Sequence, residues 1–439
     1  MKLYCSRVIV CIMLFLSNRA SCISQSPSIV NQNLFASQIN DHGLIISSPG
    51  SFILRDTFSF TTTSTTVAIT INASHVTIDF DRQAICQDNG LSEGIGIYIC
   101  DGCHDILLRG GTIADFEDNA IYVGKGCSQI MLNQMELVNS DMVVLFDGDV
   151  ANDIFDCSIS DCVVSQGFES GFLFSYCNNI TVRDTFFIKN NNMGSYLDNC
   201  QNMKFASCYF NNSTSLTHCY GMSVARSENI LFDSCMFNSM SGSLKTYGLF
   251  MDNVSCVNIV NCSACGNVSD SDDAAGIYLK DSEGIIVSST QTYKSDTIGG
   301  SATGIYLDGC IGCQLIKCAS LSNTTTSDYA CGIRLENGSK NYIDSTYMTN
   351  NVNSADETKG IGIYIDSSEE STVVRQSQSY ANSGYGIKND ATSSIIVQSA
   401  TGGNSTANFS GAFGLSFYKT GTVVPQTIFA VDNIEFNRE

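Results

Sequence analysis

Aromatic side chains recur along the chain at intervals close to one, two or three multiples of about 26 residues. The recurring rings are Tyr98, Tyr122, Tyr196, Phe250, Tyr278, Tyr306 and Tyr364. On one face of a rigid sheet, such rings form a platform that can stack against the flat faces of sugars. They can equally stack on one another and only stabilise the sheet, and the absence of tryptophan weakens the sugar interpretation. The sequence therefore predicts an outward, exposed column of rings, with ligand binding as its functional interpretation.

Carboxylates follow four of these rings two positions later and form a second column. Asp308 and Asp366 follow tyrosines, and Glu336 follows Arg334 at the same place in the pattern. Stacked like charges repel each other, and Ca²⁺, which prefers carboxylate oxygens, would relieve that repulsion. The alternative is that each aspartate hydrogen-bonds to its own backbone in a turn. Asp308, Glu336 and Asp366 are thus the predicted Ca²⁺ ligands, and the sequence implies no other cofactor.

Both columns belong to a repeat that runs through most of the chain. The stretch Gly-Ile-Tyr-Leu-Asp-Gly-Cys from Gly304 has close relatives beginning at Gly96, Ala120, Gly171, Gly194, Gly221, Gly248, Gly276, Gly332, Gly362 and Gly386, and a looser one at Val143. A fixed period of about 26 residues is typical of a solenoid. Counted from the first residue as zero, apolar side chains fall at offsets one and three, nine and eleven, and fourteen and sixteen. Each pair alternates as a half-buried strand does.

Three short strands per repeat, with no 3.6-residue period, predict a coil without a helix. Coils of this kind stack into a parallel β-helix, here with about twelve regular coils between end caps. No proline lies between Gly96 and Gly403, as an unbroken ladder of backbone hydrogen bonds requires. The predicted domains are an N-terminal cap with irregular first coils at 23–90, the β-helix at 91–400, and a C-terminal cap or tail at 401–439.

Cysteines concentrate at the inward offset fourteen of the repeat. Cys157, Cys208, Cys235, Cys262 and Cys318 all occupy this position, out of 21 cysteines in the chain. A buried free thiol packs as a small hydrophobic group, which is the core interpretation. Disulfides and a metal site are the alternatives, prompted by several Cys-x-x-Cys pairs, although side chains stacked in parallel suit a disulfide poorly.

The charge and the N-terminus indicate where the protein acts. The net charge is −21, from 43 acidic and 22 basic residues, which argues against nucleic acid or an anionic membrane as partner. Lys2 and Arg7 precede an apolar run from Val8 to Leu16 that is too short to span a bilayer. Residues 1–22 are predicted to be a signal peptide, and no later segment is predicted to span a membrane. The product is expected to be exported, to the periplasm, the cell surface or the medium.

Three segments near the start of the array resemble the opening of exported right-handed β-helix repeat proteins of the pectin-lyase-like group. They are Ser-Pro-Gly-Ser-Phe-Ile-Leu from Ser48, Ile-Asn-Ala-Ser-His-Val-Thr-Ile-Asp-Phe from Ile71, and Gly-Ile-Gly-Ile-Tyr-Ile from Gly94. The resemblance covers most of residues 49–400 and implies a right-handed turn. The expected fold is therefore an all-β, single-stranded right-handed parallel β-helix solenoid. A fold of this kind does not by itself imply an activity.

The same resemblance supplies the catalytic candidates. Glycosidases of the group place carboxylate pairs on the outward column of the first strand, and here that column has no Asp or Glu. Asp272 and Asp273 form a pair in a polar loop, but no Gly-His-Gly segment follows them. His104, flanked by two aspartates, is similar to the Asp and His cluster of β-helix uronate epimerases, or else belongs to an ordinary turn. Lyases of this fold need an Arg or Lys base beside calcium, for which Arg334 is the nearest candidate.

These observations together favour a non-catalytic recognition scaffold outside the cell, with a polysaccharide or surface glycan as its partner. Two alternatives stay open. One is a polysaccharide lyase, hydrolase or uronate epimerase, and the other is a purely structural rod or adhesin shaft. The pattern indicates no particular oligomeric state.

Overall fold

The computed structural model describes residues 31–34, 43–60, 66–88 and 93–411. Within these ranges the chain winds through parallel strands, each paired with the equivalent strand of the coil before and the coil after. The predicted all-β, right-handed parallel β-helix solenoid is confirmed, with about twelve turns. The predicted signal peptide lies outside the described residues, as does the predicted C-terminal segment beyond residue 411.

The first strand of each coil belongs to one continuous sheet, termed the first sheet. Its strands are Leu44–Ile46, Val67–Ile71, Ile95–Ile99, Asn119–Val123, Met142–Asp147, Ser170–Ser175, Met193–Asp198, Cys219–Ala225, Thr246–Asp252, Ala274–Lys280, Ala302–Asp308, Ala330–Glu336, Gly360–Ile365, Tyr385–Asn389 and Ala407–Gly411. At about 4.8 Å between neighbouring strands, this sheet is about 67 Å long.

The second strand of each coil forms the second sheet, and the third strand forms the third sheet. The second sheet contains Asn31–Leu34, Gly50–Leu54, Val76–Asp79, His104–Arg109, Ser128–Asn133, Ile154–Phe155, Ser158–Ser160, Cys177–Asn178, Thr181–Arg183, Gln201–Ala206, Glu228–Asp233, Ser255–Val260, Ile286–Ser288, Gln314–Ile316, Tyr342–Asp344, Val373–Arg375 and Ile395–Val397. The third sheet contains Phe58–Phe60, Ala84–Gln87, Thr112–Ala114, Glu136–Val138, Val163–Ser165, Phe186–Ile188, Tyr209–Asn211, Met236–Asn238, Ser263–Cys265, Gln291–Tyr293, Ala319–Leu321, Tyr347–Thr349, Gln378–Tyr380 and Ala400–Gly402.

A fourth, short sheet was not predicted from the sequence. Its two-residue strands are Thr214–Ser215, Ser241–Gly242, Val268–Ser269, Asp296–Thr297, Thr324–Thr325 and Val352–Asn353. They lie in the polar loops that precede the first-sheet strands, and one of these loops also carries a 3₁₀ turn at Glu357–Lys359. Two residues are too few to show an alternating pattern, so these loops could not be recognised as paired.

The core follows the predicted inward offsets. In the coil that begins at Gly304, Ile305, Leu307, Cys313, Leu315 and Cys318 are all buried. The apolar side chains of successive coils form one contiguous cluster from Leu34 to Phe409. No helix within the described ranges is long and apolar enough to cross a membrane.

A two-residue turn joins the second sheet to the third in most coils. Its first residue has a left-handed backbone, as at Ser207, Ser234 and Asn261 with φ of 52°, 57° and 54°. Asn, Asp and Ser reach this conformation at lower cost than most residues, which explains the polar turn composition. The second turn residue then points inward, and Cys208, Cys235, Cys262 and Cys318 lie at this position. Cys157, also at offset fourteen, lies instead within the second sheet, between the strands Ile154–Phe155 and Ser158–Ser160, because a longer loop precedes those strands in its coil.

Inside the turn that leaves the third sheet, buried asparagines form a ladder along the solenoid axis. Asn323 Nδ2 donates to Asn351 Oδ1, Asn351 to Asn382, and Asn382 to Asn404, each at 2.8 Å. An amide that both donates and accepts can satisfy its neighbours above and below, which a buried polar group requires. The ladder therefore fixes the stacking register of the last four coils.

The structure also bears on the cysteines. All those in the described ranges are free thiols, and the five at offset fourteen are buried. Burial raises the pKa of Cys157 to about 12 and that of Cys318 to about 11. Since the thiolate is the reactive form, Cys157 and Cys318 combine low access with low intrinsic reactivity.

We expect Cys256, which is exposed on the second sheet, to react at once with an alkylating reagent in the native protein. Cys157, Cys208, Cys235, Cys262 and Cys318 should react only at the rate at which the coils open, because exchange of a buried group requires local unfolding. Time-resolved alkylation followed by peptide mass spectrometry measures both rates. Fast native labelling of the five would place them outside the core and contradict the coil assignment.

Candidate functional site

The predicted ring column lies on the outer face of the first sheet. Its backbone register places Tyr278 beside Tyr306 and Tyr306 beside Arg334. Tyr364 follows Arg334, and Lys388 follows Tyr364 on the next strand. Because side chains two residues apart share one face of a strand, the residues of this column point away from the core. The sequence therefore placed the column correctly on its sheet.

The rings are, however, less accessible than the sequence predicts. Tyr278, Tyr306 and Tyr364 are only 8%, 9% and 4% exposed, so the expectation of an exposed stripe is wrong for these three. The other four predicted rings, Tyr98, Tyr122, Tyr196 and Phe250, are half-buried. Stacking explains the difference, because the rings of Tyr278 and Tyr306 lie 4.6 Å apart with planes only 6° from parallel. Each of the two rings therefore covers one face of the other.

A second set of rings closes over the column. Tyr220 and Tyr247 each precede the repeat glycine and stack at 5.5 Å, and Tyr247 meets Tyr278 edge-on at 4.9 Å. Tyr329, from the loop before the strand Ala330–Glu336, stacks on Tyr364 at 5.0 Å. These rings were missed because the offset pattern began at the glycine. A tyrosine directly before the glycine in two successive repeats was the signal that could have found the first two.

The hydroxyl groups of the column bind the carboxylates of the second column. Tyr278 donates to Asp308 at 3.0 Å, Tyr306 to Glu336 at 2.7 Å, and Tyr364 to Asp366 at 2.9 Å. Burial is the main reason that the pKa of each of these tyrosines lies above its ordinary value, and the neighbouring carboxylates raise it further. The hydroxyls therefore stay protonated and act as fixed donors at neutral pH.

The predicted Ca²⁺ ligands are thus already engaged by donors of the protein itself. Asp308 also accepts from Asn337 Nδ2 at 2.8 Å, and Asp366 accepts from the backbone and hydroxyl of Ser368. In the part of the chain that the structure describes, no group of three or more His, Cys, Asp or Glu is placed to hold a metal ion. The arrangement does not fit a Ca²⁺ site, because a cation would have to displace these bonds.

Arg334 sits in the middle of the rings. Its guanidinium pairs with Glu336 and donates to Ser301 Oγ at 2.9 Å. It also lies 5.0 Å from the ring centre of Tyr306 and 5.1 Å from that of Tyr329. Burial opposes the charge, but the carboxylate of Glu336 acts in the opposite direction, and the pKa of Arg334 lies above its ordinary value. This side chain holds its proton firmly, which is unfavourable for a general base.

The Asp272–Asp273 pair lies in the loop that leads into the strand of Tyr278. Asp273 Oδ1 accepts from the backbone N–H of Ser301 at 2.9 Å, and Asp272 Oδ1 accepts from the backbone N–H of Asp273. Burial raises the pKa of Asp273, while the nearby charge of Arg334 acts in the opposite direction. The structure therefore brings two of the sequence candidates, Asp273 and Arg334, together around Ser301. We term this assembly of rings, Arg334 and Asp273 the ring cluster.

Further cations reach the ring cluster from the last coils. The Nζ atoms of Lys359 and Lys388 lie 5.7 Å and 5.9 Å from the ring centre of Tyr329, and Lys388 lies 4.6 Å from that of Tyr364. Lys388 also pairs with Asp390 at 2.8 Å. Lys359 pairs with Asp328 at 3.9 Å. Because both cations have acidic partners, the cluster combines aromatic faces with charges that are locally balanced.

His104 does not join this cluster. It begins a strand of the second sheet, where its ring meets that of His75 edge-on at 4.8 Å. Asp105 Oδ2 bonds His75 Nδ1 at 2.7 Å rather than His104, and Asp101 accepts from the backbone N–H of Lys125. The two aspartates that flank His104 in the sequence therefore serve other partners.

A polar groove lies at the turn from the first sheet to the second. It has a volume of about 490 Å³, and its polar lining includes Asn178, Asn199, Gln201, Arg226, Glu228 and Asn253. Asn199 and Asn253 directly follow the strands Met193–Asp198 and Thr246–Asp252, which carry Tyr196 and Phe250. Amide groups can donate and accept at once, as the hydroxyl groups of a sugar require. The groove, together with Tyr196 and Phe250 on the strands that lead to it, is termed the amide groove.

Comparison with known proteins identifies the fold alone. No protein-family model matches the chain, and no curated protein matches it. Among solved structures, the A-module of the mannuronan C-5 epimerase AlgE6 of Azotobacter vinelandii is similar, with a TM-score of 0.50 and 13% identity over 81% of this chain and 91% of that one. The pre-mature gene product 12 of bacteriophage phi29 has a TM-score of 0.56 and 12% identity over 88% of this chain.

This chain spans 55% of that phage protein. An N-terminal fragment of gene product 12 gives a TM-score of 0.53 and 10% identity over 90% of this chain and 73% of the fragment. At such low identity, similarity reports the path of the backbone and not the chemistry of a site. The chain has the right-handed parallel β-helix fold that its sequence predicts, and its function must be inferred from its own residues.

Proposed function

We propose that the protein is an exported β-helix scaffold that recognises glycans without converting them. The observation that carries this proposal is the amide groove, a polar channel that begins directly beyond the strands carrying the half-buried rings of Tyr196 and Phe250. Sugar sites combine aromatic faces with a few well-placed polar groups. Tyr98 and Tyr122 extend the same ring column toward the N-terminal coils. Tyr278, Tyr306 and Tyr364 then hold the sheet rigid rather than contact the ligand.

The ring cluster supports the non-catalytic part of the proposal. General acid–base catalysis requires a group whose pKa lies near the working pH. The raised pKa of Arg334 and of Tyr306 keeps both groups protonated at neutral pH, so neither is available as a base. The carboxylate of Glu336 is engaged by both. The cluster therefore contains charges and rings in fixed pairs rather than a free acid and a free base.

The enzyme remains the second candidate, and two observations favour it. The fold is that of the A-module of a mannuronan C-5 epimerase, and Asp273, whose pKa is raised by burial, lies near Arg334. A carboxylic acid with a raised pKa is a typical general acid. If the chain is an enzyme, we expect Asp273 and Arg334 to be its essential residues.

For the binding proposal, we expect Tyr196→Ala combined with Phe250→Ala to weaken glycan affinity tenfold or more. Each ring contributes about 0.5–1.5 kcal/mol beyond its buried area, and about 1.4 kcal/mol corresponds to a factor of ten. A glycan array on the wild type identifies the ligand, and calorimetric titration measures both proteins. Tyr342→Ala is the matched control, because this half-buried tyrosine points outward from the second sheet.

The competing outcomes are distinct. Unchanged affinity in the double variant would remove the amide groove from the binding site. Incubation of the wild type with mannuronan and other acidic polysaccharides tests the enzyme directly. Shortened, unsaturated or epimerised products that disappear with Asp273→Asn would replace the binding proposal by the catalytic one. Neither glycan binding nor turnover would favour the structural rod.

A further inference from the structure

The outer face of the third sheet lacks charge over most of its length. The ten consecutive strands from Val163–Ser165 to Ala400–Gly402 contain no Asp, Glu, Lys or Arg. In each of these strands the central residue points into the core and the two outer residues point outward. At the chain-wide share of 15% charged residues, those twenty outward positions would hold about three charged side chains. They hold none, in a chain of net charge −21.

The other two long sheets differ. Over the same coils the first sheet carries outward charges such as Asp252 and Lys280, and the second sheet carries Arg183, Asp233 and Asp344. The turns that border these ten strands contain two carboxylates, Asp161 and Asp184, both before Phe186. Beyond Phe186 their only charged residues are Lys189, Lys294 and Lys317. Over these ten strands the third sheet is thus the one long face in the described ranges that does not share the acidic character of the molecule.

Large apolar side chains project from this neutral face. Phe186, Met236, Tyr293 and Tyr347 are 41%, 36%, 38% and 41% exposed. Phe186 also stacks on the outward ring of Tyr209 at 4.7 Å, with ring planes 8° from parallel. Aromatic residues and Met are enriched at the centres of protein interfaces, while charged residues are depleted there. The composition of the face is that of an interface core.

The size of the face matches a stable interface. Ten strands at about 4.8 Å spacing, each about five residues wide with its bordering turns, cover roughly 800 Å². A specific protein interface of standard size buries about 800 Å² on each partner. No side chain of this surface contributes to the ring cluster or to the amide groove.

From the charge, the composition and the area, we infer that the neutral face of the third sheet, from Val163 to Gly402, is where a second copy of this chain docks. Two copies that each carry −21 charges repel each other through every acidic surface. The neutral face lets them approach without placing carboxylates opposite carboxylates. A flat sheet with stacked rings also presents the same pattern to its copy, as a symmetric dimer requires.

The test measures the oligomeric state of the full chain by sedimentation equilibrium over a range of concentrations. We expect the wild type to dimerise, and Met236→Glu combined with Tyr347→Glu to raise the dimer dissociation constant about a hundredfold, because each copy then places two charges on the buried face. Asn258→Glu, on the exposed outer face of the second sheet, should leave the constant unchanged. Melting temperatures of all three proteins establish that each variant is folded.

Salt provides a second readout that does not depend on a variant. Added salt screens the repulsion between two acidic molecules, so the wild-type dimer should become tighter as ionic strength rises. A wild type that stays monomeric into the millimolar range would overturn the inference, as would a dimer that the two glutamates leave intact. A dimer that salt dissociates would place the contact on charged surfaces instead and would also overturn it.

Discussion

Gly304→Val is expected to lower the free energy of unfolding by about 3 kcal/mol, at the upper end of the cost of overpacking a core. A Cβ at Gly304 would lie 1.7 Å from Ser320 Oγ, 2.5 Å from Thr292 Oγ1 and 2.7 Å from the carbonyl oxygen of Gly332. Two of these contacts are with buried side chains and the third is with the backbone of the next coil. The clash therefore cannot be relieved without shifting a strand of the first sheet, and a shifted strand weakens its pairing with both neighbours.

Gly402→Ala is the matched control. The nearest atoms to a Cβ at Gly402 belong to the ring of Tyr380, at 3.1 Å and 3.2 Å, and a side chain at the end of the third sheet can move. We expect this variant to lose less than about 1 kcal/mol. Urea denaturation followed by circular dichroism gives both values. Equal stability of the two variants would show that the repeat glycines are not required by close approach of the coils.

This difference between two glycines illustrates what the sequence could and could not predict. The glycine that opens each repeat revealed the period, and with it the coil, the three sheets and the inward offsets. The physical reason that the glycine recurs, contact with the inward side chains of the third sheet, needs coordinates. Likewise, the sequence shows only that Asn323 and Asn351 are polar residues in turns. It does not show that they form a buried ladder.

The candidate site was predicted less completely than the fold. Tyr278, Tyr306 and Arg334 were placed on one outward column by spacing alone, because each coil advances the chain by one strand. Their burial was not predictable, since it depends on Tyr247 and Tyr329, which come from outside that column. The offset of a residue in the repeat predicts which face of the sheet its side chain lies on. It does not predict which residues of a loop of variable length cover that face.

The short separation of Asp273 from Arg334 has the same origin. These residues are distant in sequence and belong to different coils, and only the fold brings both to Ser301. A sequence pattern with a period of about 26 residues relates positions at equal offsets. It does not relate a loop residue to a strand residue two coils later.

Arg334→Met should lower the free energy of unfolding by about 3 kcal/mol, the loss typical of breaking a buried ion pair from one side. The side chains of Arg334 and Glu336 are only 13% and 16% exposed. Methionine keeps most of the apolar stem but leaves the Glu336 carboxylate without its cation. It also removes the charge that lies over Tyr306 and Tyr329. Arg334→Lys should recover only part of the loss, because an ammonium group cannot reproduce the planar fork that reaches both Glu336 and Ser301.

A double-mutant cycle separates this structural role from a catalytic one. Glu336→Gln removes the carboxylate charge that Arg334→Met leaves without a partner. The double variant should therefore lose about 2 kcal/mol less unfolding free energy than the summed losses of the two single variants, and this difference is the coupling energy. Thermal and urea denaturation of the four proteins measure that coupling. A catalytic Arg334 would behave differently, since a residue whose contacts matter only in the transition state can be removed with little effect on stability. Arg334→Met with wild-type stability and no coupling, together with loss of polysaccharide conversion, would assign Arg334 to an active site. A coupling near the expected value, with glycan affinity at the amide groove unchanged, would identify Arg334 as the clamp that holds the ring cluster together.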